Sequence, residues 1–235
     1  MANAITIFRV AMLFVAVYLL YEASLNMVIL AMAMIAAAIL LDGLDGWVAR
    51  RYGKTSQLGA AFDIAGDRIA ENVLWVVFAH LHLIGVWIPL LVLTRGFLVD
   101  SIRAISYSEG MTPFGDNNMM RSPITRWLTA GRFMRIVFGV SKLYAFVFLA
   151  GLAGYELRDS AGTLLGDIYD WEPFRYFGWF TVGLSVALTV VRGLPVVTDA
   201  LATWGPDWFR RGQIPVAGEQ VRPAATQPVQ RQKLR

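Results

Sequence analysis

Between Leu41 and Glu71 the sequence LDGLDGWVARRYGKTSQLGAAFDIAGDRIAE sets Asp42, Asp45, Asp63 and Asp67 into a chain that is 57% hydrophobic. Asp42 and Asp45 are three residues apart and Asp63 and Asp67 four apart. On helices, each pair projects from one face, and two such faces turned together form a carboxylate cage. Carboxylates gathered in a low-dielectric site repel one another and lose solvation unless cations compensate them. All-oxygen donors suit hard ions such as Mg²⁺ or Mn²⁺, and the stretch has no Cys or His to favour zinc. The expected partner of such a site is a phosphate.

The hydrophobic fraction predicts an integral membrane protein. The formal charge of +4 and the pI near 9.6 come from basic residues beside apolar spans, as at an anionic cytoplasmic membrane face. No nucleic-acid-reading motif accompanies them, so nucleic acid is excluded as a partner. Without cysteine there is no disulfide framework and no thiolate chemistry.

Hydropathy and turn signals predict an all-α bundle of six transmembrane helices: Ile5 to Tyr21, Met27 to Tyr52, Leu58 to Leu83, Val86 to Ser108, Arg132 to Tyr155 and Phe174 to Leu201. The first lacks a small-residue cleavage site and reads as a retained helix. The apolar part of the second is only about fifteen residues, which sets its aspartates near the membrane surface. Gly193 and Pro195 predict a kink or an early end in the sixth. Arg50, Arg51 and Lys54, then Arg103, Arg121, Arg126, Arg132 and Arg135, then the tail, carry the basic charge on one side; the other side has Arg158 and Arg175. By the positive-inside rule both termini are cytoplasmic. The expected organisation is a six-helix domain over residues 1–204 and a disordered basic tail over 205–235, in a multi-pass protein whose site faces the cytoplasm of a bacterial inner membrane.

Small residues line both acidic helices, Gly46, Ala49 and Gly53 on one and Gly59, Gly66 and Ala70 on the other. They allow close backbone approach or leave a slot for a base and a diphosphate. Arg50, two turns from Asp42, can counter a phosphate or an acid.

The pattern Asp42-x-x-Asp45-Gly46-x-x-Ala49-Arg50, eight residues, then Gly59-x-x-x-Asp63-x-x-x-Asp67 resembles the signature of the CDP-alcohol phosphotransferase family at every specified position. The resemblance covers residues 42–67, and the six-span layout agrees with the family fold. It implies transfer of a phosphatidyl group from CDP-diacylglycerol to an alcohol with release of CMP, in phospholipid biosynthesis. It further implies a two-metal site of Mg²⁺ or Mn²⁺ on Asp42, Asp45, Asp63 and Asp67, with Asp67 as base, and Gly46, Ala49, Arg50 and Gly59 along the nucleotide. Asn3, Thr6 and Arg9 resemble the Asn-x-x-Thr-x-x-Arg that begins the first helix in many members, where Asn3 and Thr6 contact the nucleotide or cap the helix. Members are commonly homodimers.

Acceptor choice lies outside the signature. A phosphorylated alcohol needs cationic clamps, and Arg95, Arg103, Arg132, Arg135 and Lys142 stand at the cytoplasmic ends of the fourth and fifth spans. The competing reading of each is a snorkelling interfacial residue. The run from Thr94 to Arg103, followed by Glu109-Gly110, is similar to the phosphatidylglycerophosphate synthase branch, which makes glycerol 3-phosphate the first choice. Two departures keep other acceptors open: Gly131-Arg132-Phe133-Met134-Arg135 stands where that branch has Gly-Lys-x-Lys-Thr, and Asp67-Arg68 is closer to phosphatidylinositol-phosphate synthases. Serine and phosphatidylglycerol are the further alternatives, and a cation-coupled transporter is the rival from another class. Glu71 is expected to pair with Arg68 or another arginine rather than bind metal. His80 and His82, roughly 20 Å from the aspartates by helical rise, are expected at the far interface.

Overall fold

The structure, a computed structural model, describes residues 2–22, 24–52, 57–108, 123–157 and 160–208. These residues form eight α-helices and no strand: α1 (Ala2–Leu20), α2 (Leu25–Tyr52), α3 (Gln57–His80), α4 (Trp87–Ser108), α5 (Pro123–Ala130), α6 (Arg132–Tyr155), α7 (Leu164–Asp170) and α8 (Glu172–Trp208). The loop with Lys54 and the segments 109–122 and 209–235, including most of the expected tail, lie outside the described residues.

Burial follows helical spacing. In α1 the buried residues Thr6, Arg9, Leu13, Ala16 and Leu20 recur three or four apart, while Ile7, Phe8, Phe14, Val15 and Tyr18 face outward. A helix that is apolar on its outer face as well suits lipid rather than water. α2 repeats the pattern, with Val28, Ala31, Ile35 and Ala38 inside and Met27, Ile29 and Leu30 outside. Lipid tails are as apolar as these side chains, so close packing and not water exclusion drives helix association. The many buried alanines fit that requirement.

α1 packs on α2 and α3; α6 packs on α2 and α8; α4 packs on α3 and α8. Trp75 of α3 meets Phe146 of α6 edge to face at a centroid distance of 4.9 Å in the centre of the core. Trp127–Tyr155 and Glu172–Ala202 are long and apolar enough to cross a membrane, and Ile5–Leu20 and Leu25–Leu41 are shorter apolar stretches. α3 and α4 are less apolar because they carry Asp63, Asp67, Arg68 and Glu71, and Arg95, Asp100 and Arg103.

Two features depart from expectation. α8 does not end early at Gly193 and Pro195 and runs to Trp208, seven residues beyond the expected Leu201. Its neighbours α4, α5 and α6 hold the segment although Pro195 lacks a donor for the helical ladder. The second is α7, a short helix in the stretch expected to be an outer loop. Thr163 caps it by accepting a hydrogen bond from the Gly166 amide at 3.2 Å, and buried Tyr169 ties it to α6 by donating to the Phe148 carbonyl at 2.7 Å.

Candidate active site

The acidic face of α3 opens onto α1. A Cβ added at Gly66 would stand 2.7 Å from Thr6 Cγ2 and 3.2 Å from Arg9 Nη2, so the missing side chain is what lets the two helices meet here. Arg9, with 3% of its side chain exposed, donates from Nη2 to Asp67 Oδ1 at 2.7 Å and lies 3.9 Å from Asp63 Oδ1. Two carboxylates one turn apart thus share one buried guanidinium. Their own side chains are 44% and 48% exposed, within reach of a substrate. Thr6 is buried beside them, and Gly59 sits half-buried in the first turn of α3.

Asp42, Asp45, Gly46, Ala49 and Arg50 fall within α2, Asn3 within α1 and Arg132 at the start of α6. Helical backbone is therefore present at each, but their side chains lie outside the described residues.

One turn beyond Asp67, Glu71 is buried, with 6% of its side chain exposed. Its Oε2 lies 3.6 Å from Arg68 Nη1 and 3.4 Å from Lys142 Nζ on α6. The expected Arg68 partner is present, and Lys142 joins it. Arg68 also donates from Nη2 to Asp100 Oδ1 on α4 at 2.8 Å. A cavity of about 70 Å³ lies between these groups, lined by Arg9, Asp67, Glu71 and Lys142 together with apolar side chains of α1, α2, α3 and α6. A larger cavity of about 460 Å³ between α2, α6, α7 and α8 has no charged group in its wall, so the chemistry belongs to the smaller one.

The cations gather on the same side. Arg95 of α4 runs across Gly193 of α8, where a Cβ would stand 2.8 Å from Arg95 Cγ. Arg68, Glu71, Arg103 and Arg192 are close enough to act on its charge, and Arg103, Arg135 and Glu71 act on Arg192. Arg192 donates to the carbonyls of Thr129 at 3.0 Å and Met134 at 3.5 Å. Lys142 Nζ and the Arg192 guanidinium both sit over the Phe138 ring, at 4.6 and 4.9 Å from its centroid. The structure therefore brings together Arg95, Arg103, Arg135 and Lys142 and adds Arg192 and Asp100, which the sequence reading did not single out. A charge in the apolar run Val190-Val191-Arg192-Gly193 was the available signal for the first. At the far end of α3, His80 stacks obliquely on Tyr21 at 5.8 Å.

Among the described residues no group of three or more His, Cys, Asp or Glu is gathered as a metal cluster. Asp63 and Asp67 are half of the expected donor set, and carboxylate oxygens that converge on one cation have the chemistry a hard divalent ion requires.

The chain matches the CDP-alcohol phosphatidyltransferase family over residues 1–191. Archaetidylinositol phosphate synthase of Aeropyrum pernix is 38% identical over 91 residues, 37% of this chain and 45% of that protein. CDP-diacylglycerol–glycerol-3-phosphate 3-phosphatidyltransferase of Treponema pallidum is 31% identical over 124 residues, 53% of this chain and 55% of that protein. Human cardiolipin synthase (CMP-forming) is 30% identical over 113 residues, 47% of this chain and 36% of that protein. The matches span about half the length of these relatives or less.

Proposed function

We propose that this chain, which belongs to the CDP-alcohol phosphatidyltransferase family, moves a phosphatidyl group from CDP-diacylglycerol to a small phosphorylated alcohol, glycerol 3-phosphate in the first instance, and releases CMP. The observation that carries this reading is the juxtaposition of a half-exposed carboxylate, Asp67, with the part-buried cationic group of Arg68, Arg95, Lys142 and Arg192. One part suits a hydroxyl that must lose its proton, the other the phosphate carried by the same small molecule.

In this reading Asp67 accepts the proton of the acceptor hydroxyl, whose oxygen forms a bond to the phosphatidyl phosphorus as the bond to CMP breaks. Arg9 holds Asp67 in place, and Thr6 with Asn3, Gly46, Ala49, Arg50 and Gly59 borders the nucleotide. Mg²⁺ or Mn²⁺ on Asp42, Asp45, Asp63 and Asp67 would neutralise the diphosphate and stabilise the attacking and leaving oxygens. Arg95, Arg103, Arg132, Arg135 and Lys142 bind the acceptor phosphate, with Arg192 beside them. The bundle crosses the membrane six times with both termini and the site on the cytoplasmic face, and it works as a homodimer.

A second acceptor, inositol phosphate, is favoured by the Asp67-Arg68 pair and by the similarity to the Aeropyrum protein. CMP release by the purified protein in detergent with Mg²⁺ and CDP-diacylglycerol decides between acceptors offered one at a time: glycerol 3-phosphate, inositol 1-phosphate, serine and phosphatidylglycerol. Release with glycerol 3-phosphate alone, lost in Asp67→Asn and on chelation, is the expected result. Release with inositol 1-phosphate alone moves the acceptor and keeps the chemistry, and a folded sample silent with all four overturns the reading.

A further inference from the structure

The acid–base pairs that Asp67, Arg68 and Glu71 of α3 make differ in tightness. Arg9–Asp67 is 2.7 Å and Arg68–Asp100 is 2.8 Å, both within the 2.7–2.9 Å of a strong charge-assisted bond. Glu71 is the most buried of the three acids, yet its cations stand off at 3.4 and 3.6 Å. Its other oxygen, Oε1, is buried without a hydrogen-bond partner and belongs to a residue lining the 70 Å³ cavity shared with Arg9, Asp67 and Lys142. A buried carboxylate is stabilising only when closely paired and fully hydrogen-bonded. Glu71 meets neither condition.

What Glu71 does supply is negative charge. Among the described residues no carboxylate lies within 4 Å of Arg95 or Arg192, and Glu71 is the acid whose charge acts on both. Lys142, its nearer partner, is a compact ammonium on a flexible stem. The ring of Phe138 carries Lys142 on one contact and Arg192 on another, so a small swing of Lys142 keeps it beside Arg192.

We infer that Glu71 is an exchangeable counter-ion: it holds Lys142 until the acceptor arrives, then gives it up to the acceptor's phosphate. It thereby acts as a specificity-determining residue. A phosphate monoester near pH 7 carries a charge of about −1.5 to −2, enough to replace the carboxylate as partner of Lys142 and Arg192 together. Serine, a zwitterion with no net charge, brings no phosphate to make the exchange. This rests on the phosphorylated-acceptor reading above, and it adds a group that competes with substrate instead of binding it.

The test compares wild type, Glu71→Gln, Lys142→Met and the double variant, reading the KM for glycerol 3-phosphate and the inhibition constant of inorganic phosphate. Glu71→Gln removes the competing charge, so both constants fall roughly three- to tenfold while kcat falls or holds. Lys142→Met raises both at least about tenfold, and in the Lys142→Met background Glu71→Gln lowers them by less than it does in wild type because the carboxylate acts chiefly through the lysine. A Glu71→Gln protein whose two constants stay within about twofold of wild type, or rise as its thermal midpoint drops, overturns the inference. If that variant does not fold, Glu71→Asp draws the carboxylate back from Lys142 and lowers both constants by a smaller factor; failure of both to fold makes the residue structural and overturns the inference equally. The phosphate-induced rise of the thermal midpoint, measured without donor, must be larger in Glu71→Gln than in wild type. That readout stands even where no acceptor yields CMP, which separates failure of the counter-ion from failure of the reaction.

Discussion

Arg9 is almost wholly buried, yet both carboxylates it serves are half-exposed, so the guanidinium is fixed and the acids have room to take another ligand. Replacing it with methionine keeps most of the volume and leaves Asp63 and Asp67 to repel each other across one helical turn. Breaking a fully buried pair costs about 3–5 kcal/mol, and the exposure of the acids brings the expected loss for Arg9→Met to about 1–3 kcal/mol. Thermal midpoints in detergent check this: Mg²⁺ should restore more stability to Arg9→Met than it adds to wild type, since the ion replaces the missing positive charge. At Gly66, whose added Cβ would stand 2.7 Å from Thr6 Cγ2, Gly66→Val should cost about 1–3 kcal/mol by overpacking and reduce CMP release by separating Thr6 and Arg9 from the acids. That Asp63 and Asp67 share a face was legible because helical spacing sorts charges onto faces; the side chains of Asp42 and Asp45 lie outside the described residues. The sequence reading faced Gly66 toward the helix of Asp42, whereas the packing turns it toward α1. Which helix a face meets depends on tertiary packing that no local pattern contains.

At the scale of the element, α8 runs longer than the Phe174 to Leu201 read from the sequence. Glycine and proline two residues apart predict a kink or an early end; the helix does not end there, and Gly193 is where Arg95 crosses from α4. The glycine makes room for a charged side chain. Gly193→Leu should therefore push Arg95 aside and raise the KM for the phosphorylated acceptor by about tenfold, the scale of one charge-assisted contact, with the KM for CDP-diacylglycerol unchanged. Equal rises in both constants would show that the contact serves the bundle and not the acceptor. α7 offers the contrasting case. Its seven residues are too few for periodicity to register, although the cap from Thr163 to the Gly166 amide is a local signal. Thr163→Ala should lower stability by about 1 kcal/mol and leave kcat at the wild-type value, because α7 docks on the parts of α6 and α8 remote from Asp67.

At the scale of the molecule, charge is separated along the bundle. Asp67, Glu71, Arg95, Lys142 and Arg192 meet where α1, α3, α4, α6 and α8 converge, whereas the α7 end shows Trp171, Tyr176 and Phe177 to the outside among acidic residues. Of the basic residues expected on one side, Arg103 and Arg135 stand beside Arg192 at this end. The individual spans were less legible, because α3 and α4 spend their apolar character on the charges of the site. In the proposed topology α6 is the crossing that separates the exposed Ser101 side of the bundle from the α7 side. The chain contains no cysteine, so single cysteines report position without a background. With a membrane-impermeant maleimide on intact cells, Ala161→Cys beside α7 should label at once, and Ser101→Cys near the end of α4 only after permeabilisation. The opposite order would put the site on the outer face and remove the positive-inside argument, and equal labelling would mean that α6 does not cross. The expected order sets the carboxylates and cations on the side where a water-soluble sugar or alcohol phosphate is supplied, while the donor reaches them from within the bilayer.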